Sequence, residues 1–299
     1  MDLLESLCHQ SFNNFEVVIV NDSNKMESKE RVADIVEIYS SKLKIKILCN
    51  PHNMGLPFSL NRGVSNANGD IIVFTDDDCI ADKDWLSHLV KWYENPIVGG
   101  VGGRVVPIEL DALWIPRRKR HTYLVGRLSW NGDVISNFEL GQKPVFVDFL
   151  SGANMSFRKE LIKKVGGFSP IYKGNAYRFE SDFSLKIRRL GFKIVFDPSA
   201  IVFHRRANTG GCRVSVYDWN YWFSRNHTLF VLRCLRGKVV KVFFFTFEQL
   251  LRILRHRRAC PYAKPKKWHI VLQMFFKGLL DGLQIGMWHL LFREQEYIF

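Results

Sequence analysis

A short apolar run, Ile71, Ile72, Val73 and Phe74, follows the turn residues Gly69 and Asp70 and ends in Thr75 and three consecutive acids, Asp76, Asp77 and Asp78. No other stretch constrains the fold so tightly. Four apolar residues rich in β-branched and aromatic side chains read as a buried strand of a parallel sheet. The acids then sit at its carboxyl end, where open α/β sheets bind ligands. Three crowded carboxylates repel one another unless a cation neutralises them. Oxygen donors suit a hard divalent ion, Mg²⁺ or Mn²⁺, which shares its shell with phosphates. Taken alone, the triplet also reads as a solvated acidic turn.

The neighbouring segments keep an α/β rhythm. Residues 15–20 (FEVVIV) read as a strand ending at Asn21, Asp22 and Ser23, residues 27–41 as an amphipathic helix, and 44–48 (KIKIL) as a second strand. A turn at 50–55 and a helix at 57–67 lead to the triplet. A helix over 82–95, with Asp82 as its cap, and a Gly- and Val-rich strand over 97–108 follow. Periodicity fails over 109–143, which includes the basic run 117–120. A strand over 145–150 leads to Ser151, Gly152, Ala153 and Asn154. The trio Glu180, Ser181 and Asp182 opens a helix, where acids also serve simply to complement the helix dipole. Strands at 193–196 and 201–203 then close on His204.

In this order the motifs resemble family 2 glycosyltransferases of the GT-A fold over residues 3–210. The carriers are Val17 to Ser23, Asn53-x-Gly55, Asn61-x-Gly63, Asp76-Asp77-Asp78, Ser151-Gly152-Ala153-Asn154, Glu180 with Asp182, and Gly191 to His204. The resemblance implies a mixed, mostly parallel sheet flanked by helices. It also implies transfer of a sugar from a nucleotide-sugar donor to an acceptor hydroxyl with inversion. Such chemistry needs a cation on the leaving diphosphate, a base for the acceptor proton and a pocket aligning both substrates. By resemblance, Asp76 and Asp78 hold the metal, with His204 as a further contact or a structural residue, and Asp77 faces the donor. Asp22, Asn53, Asn61 and Arg62 lie on the donor side, although Arg62 also reads as a surface charge. Ser151 to Asn154 form the acceptor loop. Glu180 is the expected base and Asp182 its rival. The family's first strand, inside the sheet beside residues 15–20, is not present. An upstream piece of about fifteen to twenty-five residues, one strand and its turns, is expected to supply it.

Charge separates the chain into two parts. Of the formal +14, residues 1–200 hold 26 Lys+Arg against 24 Asp+Glu, and residues 201–299 hold 17 against 5. A basic, aromatic helical extension over 211–299 is therefore set against a catalytic domain over 1–210. Residues 238–258 read as a basic amphipathic helix with a phenylalanine face, followed by more Lys and Arg up to Lys267. In 268–292 the polar residues fall on one stripe beside Gly278, Gly282 and Gly286, and Lys277 and Asp281 disfavour a lone membrane crossing. The expectation is an interfacial helix pair on the cytoplasmic face of an anionic membrane, with a glycan or lipid-linked acceptor; a soluble lid is the plain alternative. Six scattered cysteines without metal-finger spacing read as reduced thiols. A catalytically silent glycosyltransferase-like binding module is the alternative reading of the altered base motif. Nucleic-acid binding is not expected, because the basic residues alternate with bulky apolar ones instead of forming an exposed stripe.

Overall fold

The computed structural model describes residues 2–108, 124–205, 211–255 and 265–292. The basic run 117–120 and Cys260 lie outside the described residues. After helix α1 (Asp2–Cys8), strands β1 (Val17–Asn21) and β2 (Ile45–Cys49) pair in parallel, joined by α2 (Met26–Tyr39). Next come α3 (Leu56–Asn66), β3 (Ile71–Phe74), β4 (Cys79–Ala81), α4 (Trp85–Val90) and β5 (Val98–Pro107). The hairpin β6 (Arg127–Leu128) and β7 (Val134–Ile135) precedes β8 (Val145–Phe146), β9 (Met155–Arg158), α5 (Lys159–Lys164), α6 (Phe179–Arg189) and β10 (Lys193–His204).

The central sheet runs β3-β9-β5-β10-β4, with β8 also on β10. Its pairing is mixed. Among the described residues, parallel pairs are confined to β1–β2 and β5–β10, and the triplet's strand β3 pairs antiparallel with β9. The ten-residue β5 lies between an antiparallel neighbour, β9, and a parallel one, β10, a mixture that short local patterns do not reveal. β1 and β2 form a separate sheet, and β3 stands at the end of the larger one, so each offers an edge without a strand partner among the described residues. Val17 and Ile19 nevertheless share one apolar core with Ile71 and Val73.

Close backbone approaches explain the glycines of β5. A Cβ on Gly103 would lie 1.8 Å from the carbonyl oxygen of Ala200 on β10, a distance no side chain tolerates. The two strands expected at 193–196 and 201–203 are one strand, with a bulge between Asp197 and Ile201. The expected cap at Asp82 is displaced: α4 starts at Trp85, and Asp82 Oδ1 instead accepts from the Asp84 amide at 3.0 Å.

Three helices complete the chain: α7 (Val216–Cys234), α8 (Lys238–Leu254) and α9 (Trp268–Phe292). α7 is buried along most of its length and α9 lies against it through its glycines; a Cβ on Gly278 would strike the Tyr221 carbonyl oxygen at 2.1 Å. Among the described residues α9 alone is long and apolar enough to cross a membrane. Its two charges are turned to α7, where Tyr221 donates to Asp281 at 2.6 Å and Lys277 sits 5.8 Å from the Tyr221 ring centroid. The five described cysteines are free thiols, as expected.

Candidate active site

The sheet topology brings the acid triplet to a histidine 126 residues away in sequence. β10 runs antiparallel to β4 in a register that places His204 opposite Cys79, and the Arg205 amide donates to the Asp78 carbonyl at 2.9 Å. His204 Nε2 then lies 2.9 Å from Asp78 Oδ1 and 3.9 Å from Asp76 Oδ2. Asp78 and His204, with the buried Cys79 thiol nearby, have ligand atoms within 4.8 Å of one another. Carboxylates suit Mn²⁺ or Mg²⁺, an imidazole nitrogen favours the transition ion Mn²⁺ of the two, and the soft thiol suits neither. Burial between the cleft walls, reinforced by Asp78 and Asp77 and opposed by His204, pushes Asp76 up to about 6. Nearly half of its side-chain surface is still open, so this is a deep but wettable cleft that a cation could enter. Asp77 is exposed at the tip of the turn.

Glu180 reaches the same place from the first turn of α6. The residue before the helix, Arg178, is buried with a left-handed backbone at φ +80°, a strained conformation of the kind that gathers at functional sites. Arg178 Nε and Nη2 donate to His227 Nδ1 on α7 at 3.1 and 2.9 Å, and Nη2 lies 3.3 Å from Asp133. Burial, with the Arg178 charge beside it, holds His227 well below its ordinary value, so the ring is neutral and can accept. Glu180 is wrapped by protein, and this pushes it up to about 7; the charge of Asp76 adds to the rise, while the Gly152 backbone restrains it. A cavity of about 270 Å³ joins Glu180 to His204, with Ser151, Phe138, Glu139 and Tyr177 among its walls. The half-buried Cys212 marks where the acids converge. Burial and the charges of Asp76, Glu180 and Asp22 push its thiol up to about 12.

Several expected ligand contacts turn out to be framework. Asp182 faces away from the cavity: Cys234 donates to its Oδ1 at 2.7 Å and Lys186 pairs with its Oδ2 at 3.4 Å. Two residues along a helix turn by about 200°, so Glu180 and Asp182 cannot share one wall. Asn154 is fully buried. It accepts from Trp85 Nε1 at 3.0 Å and donates to the carbonyls of Arg104 and Ala200 at 3.0 and 2.9 Å. Ala153 is buried too, its carbonyl accepting from Thr75. Of the expected acceptor loop, only Ser151 lines the cavity, and Gly152 lies against Glu180. Replacing Asn154 by Ala is expected to destabilise the protein by about 2–4 kcal/mol, because it strands a buried indole N–H and two carbonyls. Ser151→Ala should cost little by the same denaturant titration.

Among the residues expected on the donor side, Asn61 is spent on the 2.8 Å pair of bonds to the Phe168 backbone, and Arg62 on the carbonyl of Cys49 at 2.7 Å and on Asn50. Asp22 organises the entry to α3, accepting from Met54 and Gly55 amides at 2.8 Å each and from Asn50 at 2.6 Å. That leaves about one of its four acceptor sites for a ligand. Asn53 is exposed on the same turn. The sequence reading missed Glu139, Arg178, Cys212 and Arg213. Arg213 lies 3.9 Å from Asp78, and it sits in a stretch with no periodic or motif signal.

Residues 2–166, more than half of the chain, match the family model described as glycosyl transferase family 2. The chain belongs to that family. Among curated relatives, it is 28% identical over 215 residues to a glucosyl-dolichyl phosphate glucuronosyltransferase of Haloferax volcanii, an alignment spanning 68% of this chain and 63% of the relative. It is 27% identical over 244 residues to a probable glycosyltransferase of Bacillus subtilis, spanning 79% of this chain and 51% of the relative. The alignments therefore leave more than a third of each relative's length uncovered. Solved structures with the same fold include a mannosyltransferase of Pyrobaculum calidifontis in complex with GDP-Man and Mn²⁺, at 19% identity and TM-score 0.54, covering 98% of this chain and 76% of that one. Residues 1–349 of S. aureus TarS in complex with UDP-GlcNAc superpose at 18% identity and TM-score 0.57, covering 94% and 76%. The GT-A fold of this family 2 chain is thereby established.

Proposed function

We propose that this family 2 chain is an inverting, metal-dependent glycosyltransferase that moves a sugar from a nucleotide-sugar donor to an acceptor hydroxyl at a membrane surface. The observation that carries the reading is the single cavity that joins Glu180 to His204, which is itself bonded to Asp78. Asp78 and His204, with Asp76 beside them, would hold the divalent cation, which when bound supplies positive charge to a leaving diphosphate. Arg213 adds a second cationic group on that side. Glu180, from the cavity wall, takes the acceptor proton on its carboxylate as the sugar carbon is attacked. One base assisting a direct displacement inverts that carbon, and Asp182, turned toward Cys234, offers no second nucleophile.

The relatives and neighbours support the substrate classes: one acts on a glucosyl-dolichyl phosphate, and others were solved with GDP-Man and UDP-GlcNAc. A lipid-linked acceptor fits both that relative and the basic aromatic extension. Screening GDP and UDP with Mn²⁺ by thermal shift, then assaying transfer from the matching nucleotide sugars to lipid-linked acceptors, tests the reading. Transfer without any dependence on Glu180 or Asp78 would refute it.

A pH dependence follows from the raised carboxyl. A base works only when ionised, and Glu180 loses its proton near pH 7, so kcat/KM is expected to rise with one-proton slope as pH increases through about 7 and then level off. A profile flat from pH 5 to 9 would show that another group takes the proton.

A further inference from the structure

α8 is apolar on its exposed side as well as on its buried one. Its buried positions are Val242, Phe245, Gln249 and Ile253, and beside them the charged pair Glu248 and Arg252 is directed to the catalytic domain. Asn131 donates to Glu248 at 3.3 Å, and Arg252 lies 3.5 Å from Asp133, the carboxylate that also steadies Arg178. The opposite face carries Val239, Val240, Phe243, Phe244 and Phe247, exposed by 78, 56, 66, 47 and 53%. Spacings of one, four, five and eight residues put them on one stripe. A helix covering a soluble domain would carry polar residues along its outer side. This arrangement suits a helix whose outer side meets an apolar phase.

The stripe extends beyond the helix. Trp130, 56% exposed, packs edge-on against Phe244 with ring centroids 5.2 Å apart. It belongs to the turn between β6 and β7, and that hairpin supplies Val134 to the wall of the cavity holding Glu180. The charge beside the stripe is basic: Lys238 and Lys241 lie at its start and Arg255 follows the end of the helix. Aromatic residues rimmed by Lys and Arg match the boundary between acyl chains and anionic headgroups.

We infer that the Val239–Val240–Phe243–Phe244–Phe247 face of α8, continued by Trp130, inserts into the headgroup boundary of an anionic bilayer and presents the cavity mouth to the lipid phase. This deepens the membrane part of the function proposed above and is independent of its chemistry. The full chain should float with vesicles of phosphatidylglycerol and phosphatidylcholine, and bind about tenfold more weakly to phosphatidylcholine alone or in high salt. Phe243→Ser with Phe247→Ser should lower affinity for the mixed vesicles by about tenfold or more, with an unchanged circular dichroism spectrum and an unchanged thermal shift by GDP or UDP with Mn²⁺. Glu180→Gln should float as the unaltered protein does, so that loss of transfer and loss of docking are read separately. Wild-type binding by the double variant would overturn the inference. So would a lipid-free dimer that the same substitutions dissolve, since the face would then be covered by a second copy.

Discussion

Glu180→Gln is expected to lower sugar transfer by about 10²–10⁴-fold while making the protein more stable above pH 7. The two effects share one cause. An amide keeps the size of the side chain and an oxygen able to accept from the Gly152 backbone, yet cannot take a proton from the acceptor. The native carboxyl is raised from 4.5 to about 7 by burial. Between these values the folded protein holds a proton that the unfolded chain has released, so this group's contribution to stability falls as pH rises from 4.5 to 7 and stays low above it. Removing the charge should recover on the order of 2 kcal/mol at pH 8, a figure already discounted for solvent at the cavity mouth. Melting at pH 5 and pH 8 checks the stability half, and the variant should show its gain only at the higher pH. Glu139→Gln is the control, because Glu139 lines the same cavity. If that substitution, and not the one at 180, stops transfer, the base has been misassigned.

Asp78→Ala should remove the response to Mn²⁺ altogether. Asp78 is bonded to His204 and lies beside Asp76 and Arg213, so its loss takes away the carboxylate at the centre of the group proposed to hold the metal. Transfer is expected to drop by about a thousandfold or more, since several kcal/mol of charge stabilisation disappear together. The thermal shift by GDP or UDP in the presence of Mn²⁺ should vanish with it. Without metal the stability of the same variant should change little, because relief of the repulsion among the three acids offsets the loss of its contacts with His204 and Arg213. A variant that still gives a Mn²⁺-dependent shift would place the cation elsewhere.

Much of this site is legible in the primary structure, and the failures have a common origin. Asp78 and His204 lie at strand ends, where local patterns are strong and topology decides proximity. The roles of Asn61, Arg62 and Asn154 were inferred from motif position, but their partners are backbone groups of distant segments: Phe168, Cys49, and both Arg104 and Ala200. A polar side chain that satisfies buried carbonyls looks the same in sequence as one that waits for a ligand. Helical spacing could have shown in advance that Glu180 and Asp182 do not share a wall, but not which of them faces the cavity. Glu139 and Cys212 could not be found, since each reaches the cleft from a segment without periodicity. The strand directions were misjudged for a related reason, in that four apolar residues show that β3 is covered without showing which way its neighbour β9 runs.

The three-way anchoring of Asn154 bears on how new sugar acceptors could be accommodated. A turn nailed to α4, β5 and β10 through one amide has no freedom to reshape around a different molecule. Adaptation would fall to other residues of the cavity, where the hairpin strand that begins at Val134 leads to Ser136 and Glu139. Libraries meant to change selectivity therefore belong at cavity-lining positions outside the core, Ser136, Glu139 and Ser151, and randomising Asn154 would mostly yield unfolded protein.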